Sequence, residues 1–290
     1  MDLLNFINFY LVPGVVLGSV YALSAVGITL VFSIMRHAHF AHGDLATVGA
    51  FVALAVVAGL GLSPYIGLVV AIAFSTILAV GVDKLFYEHL RDRPKILTTI
   101  ASLGVALMMR SLVQVFWGVE TTTYTPGISR PETWLGVRVK TPELLAVLAL
   151  VFIIVALMFF LQRTKWGKAM RAMSDNRDLA LLSGVDNRLV IVLTWSIVGA
   201  LCAASGFFLG ITTELKPMMG FNILLPAFAA AILGGVGRIE GAVIGGLLVG
   251  VIEEMSVMVI PSEYKALSSF AIILLVLLVR PTGLFKGKIL

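Results

Sequence analysis

The sequence predicts an all-α, polytopic bundle of about eight or nine membrane-crossing helices. Three observations predict it. Of 290 residues, 59% are hydrophobic and only 13% are charged, where a water-soluble domain carries about 25% charged residues. The mean hydropathy is +1.04. The apolar residues fall in long uncharged runs divided by short polar breaks. In lipid such runs must be helices, because every backbone group has to be paired within its own segment. The even alternation of a membrane β-barrel is absent.

Residues 3–35 carry no charge and more than suffice for a first helix. Arg36-His37-Ala38-His39-Phe40-Ala41-His42-Gly43-Asp44 interrupts the apolar pattern. The next uncharged run, 45–82, is too long for one helix, and Gly59-Leu60-Gly61-Leu62-Ser63-Pro64 divides it. A polar turn covers 83–95, and 96–117 is the next helix, with Arg110 inside it. Residues 118–142 read as an irregular loop, and 144–161 as the cleanest span. A strongly polar segment, 163–188, precedes the span 189–213. Residues 223–236 are apolar but short, Gly237-Arg238-Ile239-Glu240-Gly241 interrupts, and 242–252 resumes. The last run, 266–279, is short, but Lys265 and Arg280 flank it and can snorkel to the interfaces. The whole chain, 1–290, reads as a single transmembrane domain, with 163–188 a loop within it.

The net charge of +5 comes from basic residues beside the spans. That is cytoplasmic anchoring rather than nucleic-acid binding. Arg163, Lys165, Lys168, Arg171, Arg177 and Arg188 fill the 163–188 loop; Arg91, Arg93 and Lys95 fill the turn after the third helix; Arg280, Lys286 and Lys288 fill the tail. Loop 118–142 has only Arg130, Arg138 and Lys140. The expected topology is therefore N-terminus outside and C-terminus inside, which requires an odd number of crossings. Met1-Asp2-Leu3-Leu4 lacks the basic start of a cleaved signal peptide. Cys202 has no cysteine partner and reads as a small packed apolar residue.

Three polar features could carry function. In the 163–188 loop, Ser174 or Asp175 can cap a short helix, and Gly184 suits the left-handed position past its end. Leu179, Leu182 and Ala180 form its apolar face. A helix of about two turns is unstable alone in water, so it either docks in a groove of a soluble ATPase or lies on anionic lipid. In the second feature, His37, His39 and His42 have the spacing H-x-H-x-x-H, which is not that of a metalloprotease. A helix interruption buried in protein or lining a cavity fits better. The third feature is glycine-rich, from Leu233 to Gly246. Gly237-x3-Gly241 and Gly246-x3-Gly250 permit close helix packing, or the helix breaks there and its freed backbone groups meet a solute. No Gly-Lys-Ser/Thr follows, so a phosphate-binding loop is excluded. Breaks near 36–44 and 234–241, one towards each end of the chain, are the kind of pair that marks a midplane transport site. His39, His42, Gly43, Asp44, Gly234, Gly235 and Gly237 are the candidate pathway residues. Arg110 and the Glu253-Glu254 pair read as interface anchors near helix ends. No nucleophile–base pattern and no central charge pair for ion coupling stands out.

Gly18-Ser19-Val20-Tyr21-Ala22-Leu23 and Phe40-Ala41-His42-Gly43-Asp44 resemble the N-terminal signature of the branched-chain amino acid ABC transporter permease family, LivH type. His39 stands where that family usually has Asn. Gly167-Lys168-Ala169-Met170-Arg171-Ala172 with Asp175, Ala180 and Gly184-Val185 is similar to its coupling loop. The segments 229–237 and 240–246 are similar to its glycine-rich region, with Arg238 and Glu240 where Ser and Pro are common. Ser262-Glu263-Tyr264-Lys265 and Arg280-Pro281-Thr282-Gly283-Leu284 also match, so the resemblance runs through about residues 10–285.

The resemblance implies a permease subunit, not an enzyme, moving branched-chain or related amino acids, or similar small polar solutes, by alternating access. It implies a second homologous permease subunit, two cytoplasmic ATPases and a periplasmic solute-binding protein. ATP and Mg would be used by the ATPases, with no cofactor in this chain. Ser174, Asp175, Asp178, Leu179, Ala180, Leu182 and Gly184 are then the ATPase-coupling residues. The alternative is a stand-alone channel or secondary transporter, which needs no docking helix.

Overall fold

The computed structural model describes residues 3–124, 131–134, 136–285 and 287. Arg130, Lys286 and Lys288, which entered the charge argument, lie outside these. The described chain is a helical bundle. Its elements are α1 (Leu3–Met35), α2 (His42–Leu60), α3 (Pro64–Leu90), α4 (Lys95–Trp117), α5 (Thr141–Arg163), α6 (Lys165–Asp175), α7 (Arg177–Leu182), α8 (Asn187–Thr212), α9 (Met219–Gly234), α10 (Ile239–Ser256) and α11 (Ser262–Val279). The apolar runs end where the sequence places its breaks. Arg36, at φ 60°, closes α1 in the left-handed region, and Gly61, at φ 62°, closes α2 before Pro64 opens α3.

Among the described residues, seven helices are long and apolar enough to cross a membrane, and α9 is a shorter apolar helix. The sequence reading expected eight or nine. The difference lies in α9, which has 16 residues, and in α10, whose 18 residues include Glu240, Glu253 and Glu254. Where the sequence reads as an irregular loop, β1 (Glu132–Trp134) pairs antiparallel with β2 (Val137–Val139), with Glu132 opposite Val139.

A cavity lined by Met35, His37, Asp83, Arg91, Lys95 and Arg177 gathers the basic turns at one end of the bundle, hereafter the basic end. At the opposite end Asn8 donates to the Gly136 carbonyl at 3.0 Å, and Thr122 and Leu215 form a β-bridge.

The most extensive helix contact is α1 against α10. A methyl carbon placed on Gly18 would lie 2.8 Å from the Leu247 Cα, and one on Gly250 would lie 2.3 Å from the Gly18 Cα. The Gly246-x3-Gly250 spacing therefore serves close backbone packing, as small residues do between helices in lipid. Ser24 and Ser205 share a hydrogen bond of 2.8 Å between α1 and α8, which removes two buried hydroxyls from contact with hydrocarbon. The outward sides of α3, α4, α5 and α11 keep large apolar residues exposed, Ile77, Val115, Phe152 and Leu278 among them. In a water-soluble protein these would be a liability; in lipid they are the expected surface.

Candidate functional site

Two helices begin inside the bundle rather than at its ends. The Phe40 amide donates to the Ser102 hydroxyl at 3.0 Å, and Ser102 lies seven residues into α4, or about 10 Å from its start. Asp44, in the first turn of α2, meets Arg110, about 22 Å along α4 from its start. So α2 starts at depth. The segment before α9 returns in the same way, and Gly220, in the first turn of α9, crosses Gly43. A methyl carbon on Gly43 would lie 2.1 Å from the Gly220 carbonyl oxygen, and one on Gly220 would lie 1.8 Å from the Gly43 carbonyl oxygen. Only glycine on both helices allows this crossing. The Thr47 hydroxyl accepts from the Gly220 amide at 3.0 Å, pairing one of the donors that a helix start leaves open.

Around the crossing lies an ion pair. Arg110 Nε donates to Asp44 Oδ1 at 2.9 Å and Arg110 Nη2 to Asp44 Oδ2 at 3.0 Å. This two-pronged geometry is the strongest form of arginine–carboxylate contact. Asp44 is fully buried, and its carboxylate also sits in the first turn of α2, where a helix favours negative charge. The Phe221 ring covers the guanidinium, with Cζ 4.7 Å from the ring centroid. Two expectations are corrected here. Arg110 does not snorkel to an interface, and a charge pair does exist at membrane depth. Treating α4 as a lone helix in lipid hid both, because the partner charge comes from a helix that starts halfway.

The histidines are buried in protein. His39 Nε2 is 3.1 Å from the Tyr87 hydroxyl, and its ring packs edge-on to Trp195 at 4.9 Å. His42, the first residue of α2, lies against Cys202, whose Sγ is 3.4 Å from Nε2. Cys202 is buried, as a packed apolar residue should be.

Gly234, Gly235 and Gly237 are not brought to this place. Gly234 and Gly241 touch at the turn between α9 and α10, at the basic end. From Gly220 to Gly234 is 14 helical steps, about 21 Å. The chain does break at 234–241, between α9 and α10, but the helix start that meets Gly43 follows a further break at 213–218. The signal was present in Thr213-Glu214-Leu215-Lys216-Pro217, where two charges and a proline interrupt the apolar pattern. Gly237 instead shares a crevice of about 400 Å³ with Ser174 and Asp175.

The 163–188 loop also departs from its expected detail. Ser174 and Asp175 end α6 rather than capping the next helix, and Asn176 is the cap: its side-chain oxygen accepts from the Leu179 amide at 3.1 Å. Asp178 is in the first turn of α7, on the side of the helix start that favours acid. Gly184, at φ 81°, closes α7, with the Val185 amide donating to the Ala180 carbonyl at 3.0 Å. Ala180 turns inward and is buried, whereas Leu179 is 61% and Leu182 85% exposed. Arg36 ties the loop to the bundle by donating to the Ser174 carbonyl at 2.7 Å.

Glu253 and Glu254 separate. Glu254 accepts from Lys265 at 2.6 Å, partly exposed. Glu253 does not anchor at an interface: it is buried and accepts from Tyr21 at 3.0 Å and from Ser269 at 2.7 Å. Its neighbours on α1 and α11, far away in sequence, could not be read from α10 alone.

Residues 10–277 match the family model described as branched-chain amino acid transport system / permease component. The chain belongs to this permease family. It is 32% identical to the high-affinity branched-chain amino acid transport system permease protein LivH of Escherichia coli (strain K12), over 93% of this chain and 92% of that protein. It is also 32% identical to the corresponding protein BraD of Pseudomonas aeruginosa, over 94% of each. Among solved structures, PsaBC from Streptococcus pneumoniae in complex with Fab matches with a TM-score of 0.52 at 12% identity, covering 93% of this chain and 91% of that one. That likeness is one of fold alone. Membership of the permease family, with seven apolar helices long enough to cross, makes this a multi-pass inner-membrane protein.

Proposed function

We propose that this chain is the permease subunit of an ATP-driven importer for branched-chain or related amino acids. It works beside a second, homologous permease subunit, with two ATPase subunits at its basic end and a solute-binding protein at the other. The basic end faces the cytoplasm, with the N-terminus outside. ATP and Mg are used by the ATPases.

The observation that carries this reading is α7. It is a six-residue helix, capped at both ends, that presents Leu179 and Leu182 to its surroundings from a rigid base. Exposed leucines on a short basic-end helix suit a groove on a soluble partner. Ser174, Asp175, Asp178, Ala180 and Gly184 serve by shaping and seating that helix rather than by contact alone. Membership of the permease family supports the same assignment.

Replacing Leu182 with Asp puts a charge into that groove. The substitution is expected to remove solute-stimulated ATP turnover, a loss of at least about tenfold from a buried unpaired charge at an interface. Membrane insertion and basal turnover of the free ATPases stay unchanged. Turnover equal to wild type in the reconstituted complex would refute the docking role. A second reading, an ion-coupled secondary transporter, draws on the Asp44–Arg110 pair. It requires uptake driven by an ion gradient with no ATPase present, which the same vesicles measure directly.

A further inference from the structure

Glu253 is the buried charge that the coupling scheme leaves unused. It lines a cavity of about 860 Å³ walled by α1, α8, α9, α10 and α11. Both donors to its carboxylate, Tyr21 and Ser269, are neutral, and among the described residues it has no ion-pair partner. The two lysines that line the same cavity are each engaged elsewhere: Lys216 with Glu214 at 2.8 Å and Lys265 with Glu254 at 2.6 Å. A carboxylate removed from water is costly unless a positive charge answers it.

A second acceptor is supplied by α9. Pro226 interrupts α9 and has no amide hydrogen to give to the Asn222 carbonyl four residues back. Asn222 and Pro226 both line the cavity. Its remaining walls are mixed: Leu17, Leu209 and Phe270 are apolar, while Thr213, Ser262 and Glu263 are polar. A buried carboxylate, a carbonyl without its helical donor and an apolar stretch of wall are the complement of a primary ammonium group carried on an apolar body.

We propose that this cavity is a solute subsite, in which Glu253 and the freed carbonyl of Asn222 receive the ammonium group of an amino acid while the apolar wall receives its side chain. Tyr21 and Ser269 hold the carboxylate in place. The proposal rests on the importer reading above and adds the position of the solute on this subunit.

The test uses the full complex in vesicles, with leucine as the probe. Glu253→Gln keeps the size but removes the charge and turns one of the two acceptor oxygens into an NH2 donor, and is expected to lower leucine uptake at least about tenfold, the scale of one lost charge-assisted contact. Glu253→Asp keeps the charge and recovers part of the uptake. A second measurement does not depend on those variants folding. Asn222→Cys places a thiol on the cavity wall; Cys202, being buried, stays silent in the unsubstituted control. A cationic thiol reagent is expected to react faster than an anionic one of equal size, and leucine to slow both. Equal rates without leucine protection, or wild-type uptake in Glu253→Gln, would overturn the subsite. Absence of any ATP-dependent leucine uptake by the unsubstituted complex would instead overturn the importer reading.

Discussion

Arg110→Met is expected to destabilise the protein by about 3–5 kcal/mol, because it leaves the Asp44 carboxylate buried without its partner. The magnitude follows from which group stays behind. Asp44 is fully buried, while the Arg110 side chain keeps 13% exposure. Removing the arginine therefore strands the worse-hydrated charge. The lost contact with Phe221 adds about 0.5–2 kcal/mol in the same direction. Asp44→Asn strands the guanidinium, which can still reach some water, so its cost is smaller. The double variant removes both charges and is expected to recover much of the loss, since replacing a buried pair by neutral groups is often close to neutral. Thermal unfolding of the detergent-solubilised protein measures all four corners of the cycle. Additive effects of the two substitutions would mean that the pair does not couple.

Gly220→Val is expected to prevent assembly of the bundle centre. The first added carbon would overlap the Gly43 carbonyl oxygen at 1.8 Å. Overpacking against side chains costs about 1–3 kcal/mol because they can turn away. Here the obstacle is backbone on both sides, held by the Thr47 hydrogen bond, so the two helix starts must separate. Gly43→Val meets the same obstacle from the other side. Gly81→Ala and Gly104→Ala are the matched controls: both glycines are helical and have open space around the missing carbon. Each control is expected to be neutral or to stabilise by up to about 1 kcal/mol through helix propensity. Yield and melting temperature of the purified protein separate the two groups. A Gly220→Val protein that melts like wild type would show that the crossing is not a fixed contact.

The sequence alone determined the solvent. Uncharged runs such as 144–161 have only lipid to face, so helix existence follows from hydropathy without knowledge of any neighbour. It also determined features that are local in the chain. Gly184 closes α7 because only a few residues separate it from the carbonyls it frees or satisfies; the Gly246-x3-Gly250 spacing allows either a close helix contact or a helix break, and the structure has the contact. The cap, Asn176, lies one residue past Asp175 and two past Ser174, the two expected caps, since Ser, Asp and Asn all accept from the same amides.

Tertiary structure decided everything that depends on depth and on a second helix. A run of apolar residues reports that it enters the membrane, but not how far in its first turn lies. Arg110 therefore reads as an anchor in the sequence, and only packing brings Asp44, in the first turn of α2, against it. The same is true of Glu253, answered by Tyr21 from 232 positions away, and of Gly220, which meets Gly43 only because 213–218 folds back into the bundle. The physical reason is common to the three. Burial of a charge or of a bare backbone is decided by what stands opposite, and residues far apart along the chain acquire that relation only when the helices pack.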